Sequence, residues 1–494
     1  MDLAARSAAP RGMTGASDRA LRELYRLRPD ATLVSQDEGS ILLQQSRFEA
    51  RIASPTVGRR AMLLRLAGQW ADDADLGRVI AATEGERGIM RGQLLLRRLE
   101  AHSWLSRRLQ VGDRPLLDVI PVALGSGSAP QRIRHAADVR YTLSRFATIA
   151  ADDGLVAQAP FSPVCVAIRD ARLTGMLAPA ATSGCTVTEV ARLGGIDLHA
   201  AAAVLDVLLT ARILVSAAER QAETSEPPKA VWSSHELALH HRARSGWHAL
   251  SNGGTFRFRG KFPSEPIARE AAEASGPSAA YDLPVPDLRQ ISKCEPSFTA
   301  VVTTRQSIRR YDDANPISLS QLAEFLYRVQ HTSALRDTDD GQGVGQRPYP
   351  AGGQLCELEI YPLVSRCAGL DAGLYRYDSI AHRLIRLAPL HDAAERMLRY
   401  AGDTAMLAAP PQVLLVITAR AQRVLWKYEG MGYELALKNS GVLTGLMYLV
   451  ATAMGLAPCA LGSGDSAAFA LLSGIDPLVE PYIADFAIGS KSTS

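Results

Sequence analysis

The stretch Thr304-Arg305-Gln306-Ser307-Ile308-Arg309-Arg310-Tyr311 opens the part of the sequence whose reading decides the fold. Three guanidinium groups and a hydroxyl fall within six positions. Arg offers bidentate, charge-assisted hydrogen bonds and Ser a short hydroxyl bond, a donor set that suits a phosphate. In an extended segment, alternation sets Arg305, Ser307 and Arg309 on one face. Taken alone, the stretch reads equally as a solvated basic turn, so its meaning depends on the residues C-terminal to it.

Those residues form an ordered series. RDTDDGQGVGQ (336–346) has the composition of a mobile surface loop. Next comes Arg347-Pro348-Tyr349-Pro350-Ala351-Gly352-Gly353-Gln354, whose consecutive glycines let the backbone approach a flat ligand closely. The strands ELEIYPLV (357–364) and VLLVITA (413–419) succeed it. Trp426-Lys427-Tyr428 then sets two proton-transfer groups side by side. If helical, they point about 100° apart, so one faces a substrate while the other supports it. The plain alternative is a snorkelling Lys beside a packing Tyr. Residues 439–464 carry no charge, enough for a membrane span by length. Gly455 and Pro458 interrupt the run, which therefore reads as a buried helix followed by a buried strand. That strand ends in Leu461-Gly462-Ser463, and a terminal strand closes the series with Lys491 just beyond Gly489.

Toward the N-terminus, YRLRPDATLVSQDEGSILLQ (25–44) repeats in outline as YTLSRFATIAADDGLVAQAP (141–160). Each reads as a hairpin around an acidic-Gly turn. Helical stretches come after both copies; in the second, Thr186 to Glu189 opens a helix, LGGIDLHA turns, and AAAVLDVLLTARILVS makes a second helix running into a strand. Two winged-helix-like units are expected, at 22–124 and 139–217, after a disordered tail at 1–21. The second unit's last helix is rich in Ala and Leu and lacks the Arg, Asn and Gln that read base edges, which argues against nucleic acid. Residues 218–296 read as a linker and connecting segment, with 297–494 as a further domain. His235, His240 and His241 suit a metal by type, but their spacing reads better as a polar helix face.

Composition is ordinary for a soluble globular protein. Of 494 residues, 47% are hydrophobic and 21% charged, and the net charge of +3 makes no case for a nucleic-acid or membrane partner. The six cysteines form no CxxC pair and no zinc spacing, so neither disulfides nor a metal site is expected. The N-terminus lacks an apolar signal core, and a reducing cytoplasm is the expected location.

In order and spacing, these motifs resemble the nitroreductase family of flavoproteins, in particular its SagB-type azoline dehydrogenases. The matching residues are Arg305, Ser307 and Arg309 for R-x-S-x-R/K, Pro350-Ala351-Gly352-Gly353 for P-S-G-G, and Gly373-Leu374-Tyr375-Arg376-Tyr377 for G-L-Y-x-Y. Trp426-Lys427-Tyr428, the glycine turn at 462 and the terminal strand complete the match. Trp232, His240 and Arg244 resemble the region preceding the oxidase domain in longer members, and the N-terminal units look like domains that hold leader peptides.

The resemblance implies an α+β fold: a central mixed sheet flanked by helices, preceded by the two winged-helix-like domains. It implies FMN held by Arg305, Ser307, Arg309, Pro350, Gly352, Gly353, Leu461, Gly462, Ser463 and Lys491, with Lys427 and Tyr428 as catalytic residues. It also implies a homodimer, an azoline-containing precursor peptide as substrate and a cyclodehydratase as partner. Two other readings stand beside it: an NAD(P)H-dependent nitro or quinone reductase, and a non-catalytic peptide scaffold. Three features depart from the family: Ala351 replaces a Ser, Lys438-Asn439 replaces an acidic residue, and the chain ends soon after its last strand.

Overall fold

The computed structural model describes residues 20–35, 39–45, 48–122, 132–152, 154–244, 251–269 and 280–492. The tail expected at 1–21 lies outside them up to residue 19, as do the turn residues 36–38 and 153 of the two hairpins. The chain divides into two compact units, Met1–Ser251 and Asn252–Ser494.

The first unit is built on a six-stranded antiparallel sheet with strand order Leu21–Leu27, Leu105–Val111, Arg114–Pro121, Val164–Ile168, Gly154–Gln158 and Thr148–Asp152. Both repeated segments contribute strands to it. One core gathers Tyr25, Met62, Leu66, Ile80, Leu96 and Trp104; the other gathers Leu117, Val166, Val190, Val204, Leu208 and Leu214. The helix Val187–Gly194 begins in a capping box between Thr186 and Glu189 and ends at Gly195 (φ +58), the left-handed position where Gly has no steric penalty. The chain then bends by 111° into Leu198–Thr210, and Leu214–Ser216 returns to pair with Tyr141–Leu143. The polar stretch after 217 forms the helix Ala217–Ser225, because Ser216 and Glu219 make a second capping box that composition alone conceals.

In the second unit, a seven-stranded sheet runs in the order Ala280–Asp282, Arg383–Pro389, Gly373–Asp378, Leu358–Val364, Val413–Ala419, Tyr482–Ser490 and Leu456–Leu461. A mixed sheet was the expectation; every adjacent pair here is antiparallel. Val413–Ala419 and Leu456–Leu461 run parallel, as a helical crossover between them requires, but Tyr482–Ser490 inserts between them and runs antiparallel to both.

Both faces of this sheet are covered, so Leu358–Val364 and Val413–Ala419 are buried at every position and are apolar but for Glu359 and Thr418. Helices Leu319–Gln330 and Gly432–Ala453 cover one face through Phe325, Val329, Leu443 and Met447. Asp392–Ala405 and Ser466–Ser473 cover the other through Met397, Leu398 and Phe469. The uncharged run thus forms the core helix and buried strand expected of it, and Gly455 (φ +66) ends the helix. Among the described residues, no single helix is long and apolar enough to cross a membrane.

Candidate active site

The basic stretch lies along the edge strand Leu456–Leu461. From Arg305 to Arg310 it has no regular structure, because its backbone is spent on the sheet: Ile308 N–H donates to the Pro458 carbonyl (2.9 Å) and Tyr311 bridges to Lys491. Ser307 Oγ shares a 2.7 Å hydrogen bond with Tyr448 Oη, and this phenol oxygen also accepts the Ala460 N–H at 2.8 Å. The Arg305 guanidinium lies 5.3 Å from the centroid of the same ring. Arg309 donates to the Ala405 carbonyl (2.7 Å). Burial raises the Cys459 thiol, opposed by the charge of Arg309 and a hydrogen bond with Ser307. Among the described residues, Arg305, Arg309, Arg310 and Lys491 form no ion pair, so this end of the unit keeps uncompensated positive charge. Leu461, Gly462 and Ser463 leave the sheet just past Ala460; Ser463 Oγ meets Tyr400 Oη at 3.1 Å, and Gly462 faces open space.

A second cluster forms on the glycine loop. Gly353 has φ +74, and a Cβ there would stand 2.7 Å from Tyr428 Oη and 3.3 Å from Lys427 Nζ. The phenol and the ammonium therefore converge on this one backbone position. At Gly352 a Cβ would press on Leu435 at 2.6 Å. Gly352 N–H donates to Asn439 Oδ1 (3.2 Å), and Asn439 Nδ2 donates to the buried carboxylate of Glu357 (2.6 Å). Pro350 and Ala351 line a cleft of about 440 Å³ together with Arg347 and Gln354.

Lys427 and Tyr428 do not share a helix, contrary to expectation. Lys427 closes Ala421–Lys427, while Tyr428 is extended and opens the short strand Tyr428–Glu429. The helix stops there because Tyr428 and Glu429 pair with Gly254 and Gly253. Phe256 then donates its N–H to the Lys427 carbonyl (3.2 Å), packs edge-on against Trp426 and sets its ring centroid 5.6 Å from Lys427 Nζ. Arg423, fully buried, ties this helix to the loop by donating to the Leu355 carbonyl (2.5 Å) and the Gly343 carbonyl (2.7 Å). Burial, and next the charge of Glu357, raise the Tyr428 phenol above its ordinary value.

One helix connects the clusters. Asn439 and Tyr448 lie nine residues apart on Gly432–Ala453, about 14 Å along the axis. Asn439 stands out in the sequence as a departure from an acidic pattern, and Tyr448 as a hydroxyl in an apolar run. Their contacts depend on residues far away in the chain and are visible only in the fold. Tyr375 and Tyr377 of the G-L-Y-x-Y match are buried strand residues that bond the Asp371 carbonyl and His382 (2.8 Å each).

The site therefore sets unpaired cations near one end of the central helix and a Lys-Tyr pair on a glycine loop near the other. Residues 302–489 match the model of the Nitroreductase family, and residues 141–249 match that of Cyanobactin oxidase ThcOx. MJ1384 from Methanocaldococcus jannaschii, which bears a provisional nitroreductase name, is 28% identical over 37% of this chain and 84% of its own length. The Microcin B17-processing protein McbC of Escherichia coli is 27% identical over 41% of this chain and 75% of its own. A chain in the solved E. coli Microcin synthetase McbBCD complex with truncated pro-MccB17 bound is 21% identical; the match covers 48% of this chain and 91% of that one, at a TM-score of 0.32.

Proposed function

We propose that this protein is an FMN-dependent dehydrogenase that oxidises azoline rings of a ribosomally made peptide to azoles, working as a cytoplasmic homodimer. The observation that carries the proposal is the convergence of Lys427 Nζ and Tyr428 Oη on Gly353. The matches to a cyanobactin oxidase and to a microcin-processing protein support the substrate class.

The residues present fit the flavin. Arg305, Ser307, Arg309 and Lys491 would hold its phosphate, since the cations have no carboxylate of their own among the described residues. Pro350, Gly352, Gly353, Leu461, Gly462 and Ser463 would offer the remaining contacts, with the two loop glycines leaving room for a close approach. When bound, FMN supplies the two-electron acceptor. The chain must position the ring and move a proton from the ring carbon beside the carbonyl. With its phenol raised, Tyr428 stays neutral at neutral pH and serves as a hydrogen-bond donor. We assign the base role to Lys427, which can act only as the free amine. Phe256 and Trp426 wall that side with apolar rings, and Asn439 keeps the loop in register.

The azoline must come from a cyclodehydratase, which closes Cys, Ser or Thr onto the preceding amide. The repeated segments at 22–124 and 139–217 are proposed as winged-helix-like units that hold the peptide's leader. The test is to incubate the purified protein with a thiazoline-bearing peptide and weigh the product. Loss of two hydrogens per ring is expected; an unchanged mass from flavin-loaded protein would refute the proposal. The match to MJ1384 favours one second reading, NAD(P)H-dependent nitro or quinone reduction. Under that reading a nitrofuran consumes NAD(P)H while the thiazoline stays intact.

A further inference from the structure

We infer that a cavity in the second unit is a binding site for a small carboxylate, gripped by Arg376. The site stands apart from the redox chemistry, because it lies on the sheet face turned away from the central helix. In the strand Gly373–Asp378, Leu374 joins the core of Met397, Leu398 and Phe469, whereas Tyr375 and Tyr377 join that of Leu443 and Met447. Strand alternation gives Arg376 the face of Leu374. Arg376 fills the variable position of the G-L-Y-x-Y match, to which the resemblance assigns no role.

The cavity holds about 220 Å³, and Ile267, Arg269, Glu359, Arg376, Asp378 and Arg383 stand in its wall. Arg376 is only 7% exposed, yet it forms no hydrogen bond or ion pair among the described residues. Arg269 Nε is also buried without a hydrogen-bond acceptor, since Glu359 stands 3.8 Å away. A guanidinium carries several N–H donors, and burying them unmet is costly. Native structures satisfy such groups with protein, water or an ion.

The carboxylates nearby are already engaged. Glu480 accepts from Tyr361 Oη (2.7 Å), Thr418 and Arg269. Glu359 sits between Arg269 (3.8 Å) and Arg420 (3.5 Å), and Arg420 also pairs with Glu265 (2.6 Å). Asp378 accepts from the Ile380 and Ala381 N–H groups (3.1 Å each) and from Arg383 (3.2 Å). Arg269, Arg376, Arg383 and Arg420 are thus matched in number by Glu265, Glu359, Asp378 and Glu480; the cavity lacks an acceptor, not a counter-charge. Burial raises the Glu359 carboxyl against the charges of Arg269 and Arg347. It therefore takes a proton more readily than an ordinary carboxyl and can offset the charge of an incoming anion. A carboxylate is the acceptor whose two oxygens match the planar guanidinium fork.

The test titrates the full-length protein, with FMN present to occupy the basic stretch around Arg305, with isotope-labelled acetate read by NMR line broadening. Its melting temperature is measured in sodium acetate and in sodium chloride at equal ionic strength. Acetate should broaden on binding and raise the melting temperature above its value in chloride. Arg376→Met removes a buried charge that has no partner, so it should fold, and it should lose both responses. Arg376→Lys keeps the charge without the fork and should weaken acetate by about tenfold. Arg305→Gln should retain both responses. A wild-type protein that behaves alike in acetate and chloride would leave the cavity to water and overturn the inference. So would an acetate response that survives Arg376→Met or vanishes with Arg305→Gln. Were Arg376→Met to fail to fold, an acetate affinity unchanged in Arg376→Lys would overturn it instead.

Discussion

Replacing Gly353 with Ala adds one methyl group at the point where the proposed chemistry converges. The structure attaches two costs to it. The backbone at φ +74 is left-handed, which costs a residue with a Cβ about 1–2 kcal/mol. The methyl would also meet Tyr428 Oη at 2.7 Å and Lys427 Nζ at 3.3 Å, so the phenol must retreat by a few tenths of an ångström or more. The first cost appears as a melting temperature lower by roughly 2–8 °C, at about 2–4 °C per kcal/mol for a domain of this size. The second appears in turnover, where a misplacement on the order of 1 Å costs about a hundredfold. Gly441→Ala is the matched control: it sits in the central helix with nothing within 4 Å, so it should leave turnover unchanged and raise stability by about 0.5–1 kcal/mol. Both variants are assayed for azole formation by mass and for unfolding by calorimetry. A Gly353→Ala protein with wild-type turnover and melting temperature would refute the placement of Lys427 and Tyr428 around this loop.

Lys427→Ala should lower azole formation by about 10²–10⁴-fold while flavin stays bound, whereas Tyr428→Phe should cost less; the reverse ranking would move the base role to the phenol. Tyr448→Phe deletes the hydroxyl shared by Ser307 and the Ala460 N–H, a loss of about 1–3 kcal/mol, and should release FMN on dilution; full retention would separate Ser307 from the cofactor. Burial lifts the Asp485 carboxyl to about 7 against the hydrogen bond from Tyr482. The folded chain therefore keeps this proton up to about pH 7, whereas the unfolded chain loses it near pH 4. Stability from this group is present below about pH 4 and falls as pH rises to 7, by up to about 4 kcal/mol. Asp485→Asn should flatten that slope in pH-dependent denaturation, and an unchanged slope would assign it to other groups.

What the sequence shows of this site depends on the range of each contact. The glycine loop and the basic stretch are legible because backbone approach and anion binding demand particular residue types within a few positions. The core helix is legible because Gly455 and Pro458 punctuate an uncharged run. The sheet's direction is not: nothing local tells the chain that Tyr482–Ser490 will insert between two parallel strands. The break between Lys427 and Tyr428 is hidden for the same reason, since it is set by Gly253 and Gly254, some 175 positions earlier in the chain. Asn439 and Tyr448 look like ordinary polar residues of a helix until folding brings Gly352, Glu357 and Ser307 against them. The helix Ala217–Ser225 is a different kind of omission: its Ser216–Glu219 capping box is local and readable, but polar composition and the Pro pair outweighed it.

The central claim is tested most directly by mixing the purified protein with a thiazoline-bearing peptide under anaerobic conditions and tracking the visible flavin band. A yellow protein whose band bleaches as one azole forms per bound FMN is the predicted result. A colourless protein that takes up no added FMN, or a bound flavin that the peptide leaves oxidised while NAD(P)H bleaches it, would contradict the account.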